Sequence, residues 1–133
     1  MADSIFTDCD SADVANYLKS LNPGSTRMLL LRNIDNGEYE FELADKLRIT
    51  VDFERRIFPT LGIWWNNGGH PPGSKQPRHE FAVEPIPGMY SNLEKCFEDG
   101  TYMTLPPDTS LSWEIRWRAD HKVLNPTKPQ RPL

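Results

Sequence analysis

Glu38-Tyr39-Glu40-Phe41-Glu42-Leu43-Ala44-Asp45-Lys46-Leu47-Arg48-Ile49-Thr50-Val51-Asp52-Phe53-Glu54 is the stretch that decides the fold class. Tyr39, Phe41 and Leu43 fall on one side and Glu38, Glu40 and Glu42 on the other. After Ala44-Asp45 the same period returns, with Leu47, Ile49, Val51 and Phe53 set against Arg48, Thr50, Asp52 and Glu54. A repeat of two is the signature of a β-strand, whose successive side chains point to opposite faces. Two strands with one apolar and one wet face each, joined by a short turn, are therefore expected.

Upstream, Met28 to Ile34 reads as a strand, expected to form a hairpin with Glu38 to Leu43 through Asp35-Asn36-Gly37, because Asn-Gly supplies the positive φ values of a tight turn. Before it, Val14, Tyr17, Leu18 and Leu21 recur at helical spacing, so Ala12 to Leu21 is a short helix or a loop, started by Asp10 or Ser11 and stopped by Asn22-Pro23-Gly24. Downstream, Phe58 to Asn66 is apolar on both sides, as in a central strand. The run from Asn67 to Gly73 then forces a loop. His79 to Pro85 is a short strand, Asn92 to Glu98 a turn or two of helix, and Thr101 to Leu105 another strand. Ser110 to Arg118 closes the series, with Leu111, Trp113, Ile115 and Trp117 on one face. About seven strands with scraps of helix specify an all-β antiparallel sandwich over residues 1–119. Residues 120–133, with Pro126, Pro129 and Pro132 among Lys and Arg, read as an extended, disordered tail.

Bulk properties narrow the function classes. A chain of 133 residues builds one core, and its four Trp, six Phe and four Tyr make that core aromatic-rich. The formal charge of −4 argues against a nucleic-acid partner, which demands a concentrated basic surface. No apolar run is long enough to span a bilayer, and Met1 to Asp10 is acidic where a signal peptide is basic and then apolar, so the expected location is cytoplasmic. Cys9 and Cys96 have neither disulfide-scaffold nor zinc spacing. The acidic run Asp8, Asp10 and Asp13 lacks the central glycine and closing glutamate of a calcium loop. No metal or cofactor is expected.

Three ordered segments carry a family resemblance. Leu61-Gly62-Ile63-Trp64-Trp65-Asn66-Asn67-Gly68-Gly69, Phe81-Ala82-Val83-Glu84-Pro85 and Leu105-Pro106-Pro107-Asp108-Thr109-Ser110-Leu111-Ser112-Trp113-Glu114-Ile115-Arg116 resemble the C-terminal region of the galactose mutarotase-like superfamily of aldose 1-epimerases and hexose-phosphate mutarotases. The resemblance runs from about Asp3 to Trp117 and implies one half of a β supersandwich. Members are usually longer, and the part without a counterpart here is the N-terminal half, whose histidine serves as general acid. The implied activity is interconversion of the α and β anomers of a hexose or hexose phosphate.

Mutarotation needs a base for the anomeric hydroxyl and an acid for the ring oxygen. The resemblance gives Glu84 the role of base and Asp3, in Asp3-Ser4-Ile5-Phe6-Thr7, that of a carboxylate on sugar hydroxyls. By alternation Glu84 points away from the face packed by Phe81 and Val83, and Trp65 joins Leu61 and Ile63. That leaves Trp64 and Asn66 as the pair for a ligand, since an indole face suits the C–H side of a sugar and an amide reads its hydroxyls. Against these stand plainer readings: a solvated glutamate, a terminal aspartate, tryptophans that only pack. His70 and His79 are the imidazoles near enough in sequence to replace the acid. Arg78, with Lys75, suits a sugar phosphate. Two further functions compete with an enzyme: a noncatalytic carbohydrate-binding module and a remnant without ligand. Unpaired sheet edges favour a second copy or a partner chain that completes the sandwich.

Overall fold

The computed structural model describes residues 3–7, 11–43 and 47–121. Among the described residues seven strands and two helices follow in the order β1 Asp3–Thr7, α1 Ser11–Ser20, β2 Ser25–Arg32, β3 Glu38–Glu42, β4 Leu47–Phe53, β5 Thr60–Asn67, β6 His79–Ile86, α2 Leu93–Glu98 and β7 Ile115–His121. They form a four-stranded sheet ordered β1-β2-β5-β6 and a three-stranded sheet ordered β3-β4-β7. The chain is thus an all-β sandwich, antiparallel at every pairing except the first. β1 runs parallel to β2, with Asp3 opposite Met28 and Thr7 opposite Arg32, and α1 makes the crossover that a parallel pair requires. Tyr17 of α1 seats its ring edge-on against Phe6, 5.1 Å between centroids, and its hydroxyl lies 2.8 Å from Ser4 Oγ.

The core lies between the sheets. Phe53, Ile57, Phe58 and Leu61 are buried together, backed by Leu31, Ile34, Tyr39 and Val83. Phe41 of β3 meets Phe81 of β6 at 5.3 Å, edge to face, so Phe81 and Val83 mark the inner face of β6. Phe81 also stacks on Trp65, 6.1 Å away, placing Trp65 inward with Leu61 as alternation requires. On β3 the exposure alternates residue by residue, with Tyr39 and Phe41 turned in and the glutamates out.

Four expectations are corrected. β2 and β3 form no hairpin: both edges of β2 are already occupied, by β1 and β5, so β3 crosses to the other sheet and pairs with β4. The positive φ on the way out belongs to Asn33, at 55°, and Gly37 serves close approach instead. A Cβ there would stand 1.9 Å from the Phe53 carbonyl oxygen, while the Gly37 carbonyl accepts from Phe53 N at 2.7 Å. Thr101 to Leu105 is not a strand, because it serves as irregular cover for α2, with Thr101 N donating to Cys96 O at 2.8 Å. The last strand starts at Ile115, since β4 offers partners only from Phe53 back to Leu47, and it runs on to His121, so Asp120 and His121 belong to the sheet and not to a tail. Ala44, Asp45, Asp8, Cys9, Asp10 and residues 122–133 lie outside the described residues.

Candidate functional site

The pairing of β2, β5 and β6 fixes which side chains share the outer face of the larger sheet. Cross-strand partners in register point the same way. Thr26, Asn66 and Glu80 form one row, Met28, Trp64 and Ala82 the next, then Leu30, Gly62 and Glu84, and finally Arg32, Thr60 and Ile86. Asp3 extends the Met28 row on β1 by its register position. Three expected site residues, Trp64, Asn66 and Glu84, therefore occupy one face of one sheet, opposite the face that packs on β3 and β4.

Within this face Trp64 is half-buried and Glu84 exposed. Ala82, opposite Trp64, leaves only a methyl beside the indole, and Glu80 and Glu84 flank that methyl two residues to either side. Rows two residues apart are about 6.7 Å apart along a strand, and diagonal neighbours such as Trp64 and Glu84 about 7–8 Å. No ion pair holds Glu84 among the described residues.

Asn66 is 1% exposed and hydrogen-bonded all round. Its Oδ1 accepts from Thr26 Oγ1 at 3.1 Å and from His70 N at 2.9 Å, while its Nδ2 donates to His70 O at 2.9 Å and Glu80 Oε1 at 3.2 Å. An amide has two donors and room for two acceptor bonds, and all four positions are used. Asn66 is thus a clamp on the loop and not a free reader of hydroxyls. The clamp bends the loop back over the sheet and sets the His70 ring edge-on to Trp64, 5.8 Å between centroids. Gly69 fits this fold-back because a Cβ would meet Gly24 O and Thr26 Oγ1 at 2.6 Å.

His79 takes the other face, with Nδ1 3.0 Å from Asn67 Oδ1, so it does not join Glu84. Arg78 and Lys75 are exposed in the loop, and the Arg78 carbonyl accepts from Gly68 N at 2.9 Å, at the Asn66 end of the face and away from Glu84. Glu80 and Thr26 were not anticipated. Period-two spacing puts Glu80 on the Glu84 face, but nothing in the sequence pairs either residue with Asn66.

Beyond Glu84 the outer face is covered. Arg32 Nε donates to Met89 O at 3.1 Å and its guanidinium lies 4.5 Å over the Tyr90 ring, while Thr60 Oγ1 reaches Met89 Sδ at 3.4 Å. A cavity of about 180 Å³ opens there, walled by Ile86, Gly88, Tyr90, Cys96, Tyr102 and Met103 among others. Glu84 is exposed and is not among its walls. Among the described residues no group of His, Cys, Asp and Glu has metal-ligand geometry, and no helix is long and apolar enough to cross a membrane. In comparisons with protein-family models, curated proteins and solved structures, nothing matches this chain.

Proposed function

We propose that this chain is a carbohydrate-binding, aldose 1-epimerase-like protein that interconverts the α and β anomers of a hexose or hexose phosphate, with Glu84 as general base. One observation carries the reading: Trp64 and Glu84 share the outer face as diagonal neighbours, Trp64 opposite Ala82 and Glu84 opposite Gly62. An indole with a methyl beside it offers a flat platform for the C–H face of a pyranose, and a carboxylate at its margin takes a proton from a hydroxyl at the ring's edge. The resemblance of the Val83-Glu84-Pro85 segment to the family's base points the same way.

The exposure of Glu84 favours a second reading. Catalytic pockets are concave and exclude water, whereas the Glu84 side chain is exposed. A noncatalytic sugar-binding module, or an enzyme whose cleft is completed by a second copy or a partner chain, fits an exposed carboxylate. Polarimetry on α-glucose and α-galactose separates the readings. The enzyme reading requires mutarotation faster than in buffer and a drop of about 100-fold or more for Glu84→Gln, the usual size of a general-base contribution. Saturable quenching of tryptophan emission by hexoses without any acceleration supports the module. A flat titration without acceleration refutes both.

A further inference from the structure

We infer that two copies of this chain pair through β7, edge to edge and antiparallel about a twofold axis at Arg118, so that their smaller sheets join into one continuous sheet. β7 ends the order β3-β4-β7, and every residue from Ile115 to His121 is exposed. One edge of the strand is paired with β4 along its whole length, and the other has no strand beside it among the described residues. A row of N–H and C=O groups without a strand is a template for a further one. Apolar side chains are exposed along it, with Ile115 and Trp117 on the strand and Leu111 and Trp113 leading into it. This surface does not depend on the sugar site.

Charge complementarity of the strand with itself selects the occupant. Opposite residues of an antiparallel pair share a face, so a register shifted by one residue would set Trp117 beside an arginine. Among registers that keep the faces, the one centred on Arg118 sets Arg116 against Asp120 of the second copy, and symmetry repeats the pair. Trp117 then lies opposite Ala119 of the second copy, an indole against a methyl, also twice. Centring on Trp117 instead opposes Arg116 to Arg118 and Glu114 to Asp120, like charges in both cases. The two Arg118 side chains at the axis bring their own counter-charges, since each guanidinium lies 3.5 Å from Glu38 and 3.5 Å from Asp52 of its own chain. Arg116 holds Glu114 in an exposed pair that exchanges at little cost, and no ion pair holds Asp120 among the described residues. The β3 edge has no such match to itself, because Glu38, Glu40 and Glu42 would oppose one another, and β6 carries Pro85, which has no N–H for a ladder.

Sedimentation equilibrium of the full chain tests the pairing. A single strand edge buries less than the roughly 1,200–2,000 Å² of stable complexes, so a concentration-dependent monomer–dimer equilibrium is expected, with Kd between micromolar and millimolar. Arg116→Asp and Asp120→Arg each set like charges opposite one another twice, and each is expected to raise Kd about 10-fold or more. An equimolar mixture of the two variants regains the dimer, because both contacts in the mixed pair are again between opposite charges. Circular dichroism checks that each variant is folded. Should a reversal unfold the chain, the neutral Arg116→Gln and Asp120→Asn carry the test, each raising Kd about threefold. A parent chain that stays monomeric up to about 1 mM overturns the proposal. So does a dimer indifferent to every substitution, or a mixture that stays monomeric. Loss of the dimer in Asp120→Arg but not in Arg116→Asp points to a register that opposes Arg118 to Asp120 and overturns this one. A mass that climbs past two copies means head-to-tail joining of β7 to the glutamate edge of β3, and overturns the twofold pair.

Discussion

Replacing Asn66 by alanine tests the loop clamp without reference to any sugar. The substitution removes four hydrogen bonds from a side chain that is 1% exposed. At a net value of about 1 kcal/mol each they sum to about 4 kcal/mol. Glu80 and His70 are exposed and regain water once released, which brings the expected loss to about 2–3 kcal/mol. A domain of this size has about 5–15 kcal/mol in hand, so the variant still folds. Urea unfolding followed by far-UV circular dichroism reads the change as a lower midpoint at unchanged slope. Tryptophan emission of the native state shifts to the red as Trp64 loses the His70 edge. A loss below about 0.5 kcal/mol, the range of an ordinary surface substitution, with unshifted emission refutes the clamp.

Gly37→Ala drives a Cβ into the Phe53 carbonyl, a backbone atom that cannot swing away, so a loss of about 3 kcal/mol or failure to fold is expected, read by thermal unfolding. Burial raises the Tyr39 phenol above its ordinary 10.0, and its hydroxyl has no hydrogen-bond partner among the described residues. The neutral phenol is the form the fold accepts, so its stabilising effect is complete below pH 10 and is lost as pH rises through the folded-state value. Tyr39→Phe therefore flattens the alkaline fall in stability, and at pH 7 it changes stability by less than about 1 kcal/mol, measured by urea titration across pH 7 to 11. Trp117, 62% exposed on the edge strand β7, tolerates Trp117→Lys within about 0.5 kcal/mol, and light scattering detects less self-association in that variant.

What the sequence makes legible follows from which forces are local. The two-residue period of β3 and β4 is written in each strand's own side chains, and the register of Glu38 with Asp52 and Phe41 with Ile49 realises it directly. The partner of β2 is a contest between distant segments: Asn36-Gly37 favours a hairpin locally, but β1 and β5 hold both edges of β2. Glycine at 37 marks a special backbone position in either case, and only the third dimension tells turn from close approach. The alternation of Leu111, Trp113, Ile115 and Trp117 is equally clear, yet all four are exposed, Trp113 even though its ring meets the core Phe58 edge to face at 5.9 Å, because periodicity names a face but not how much of it a neighbour covers. At the site, alternation separates Trp64 from Trp65 and turns Glu84 away from Val83. The closure of Asn66 on Thr26, His70 and Glu80 depends on a loop folding back over its own strand, which no spacing encodes.

Pairing β4 with β7 has a consequence for synthesis on the ribosome. Val51 and Phe53 receive their second neighbouring strand from Trp117 and Ile115, so the three-stranded sheet stays open at its middle strand until residues 115–121 have emerged from the exit tunnel. β1, α1, β2 and β5 meet partners much earlier in translation. The nascent chain therefore carries one half-built layer with an apolar strand exposed for most of its elongation, a state that recruits chaperones, and a stop before Ile115 leaves that state permanent.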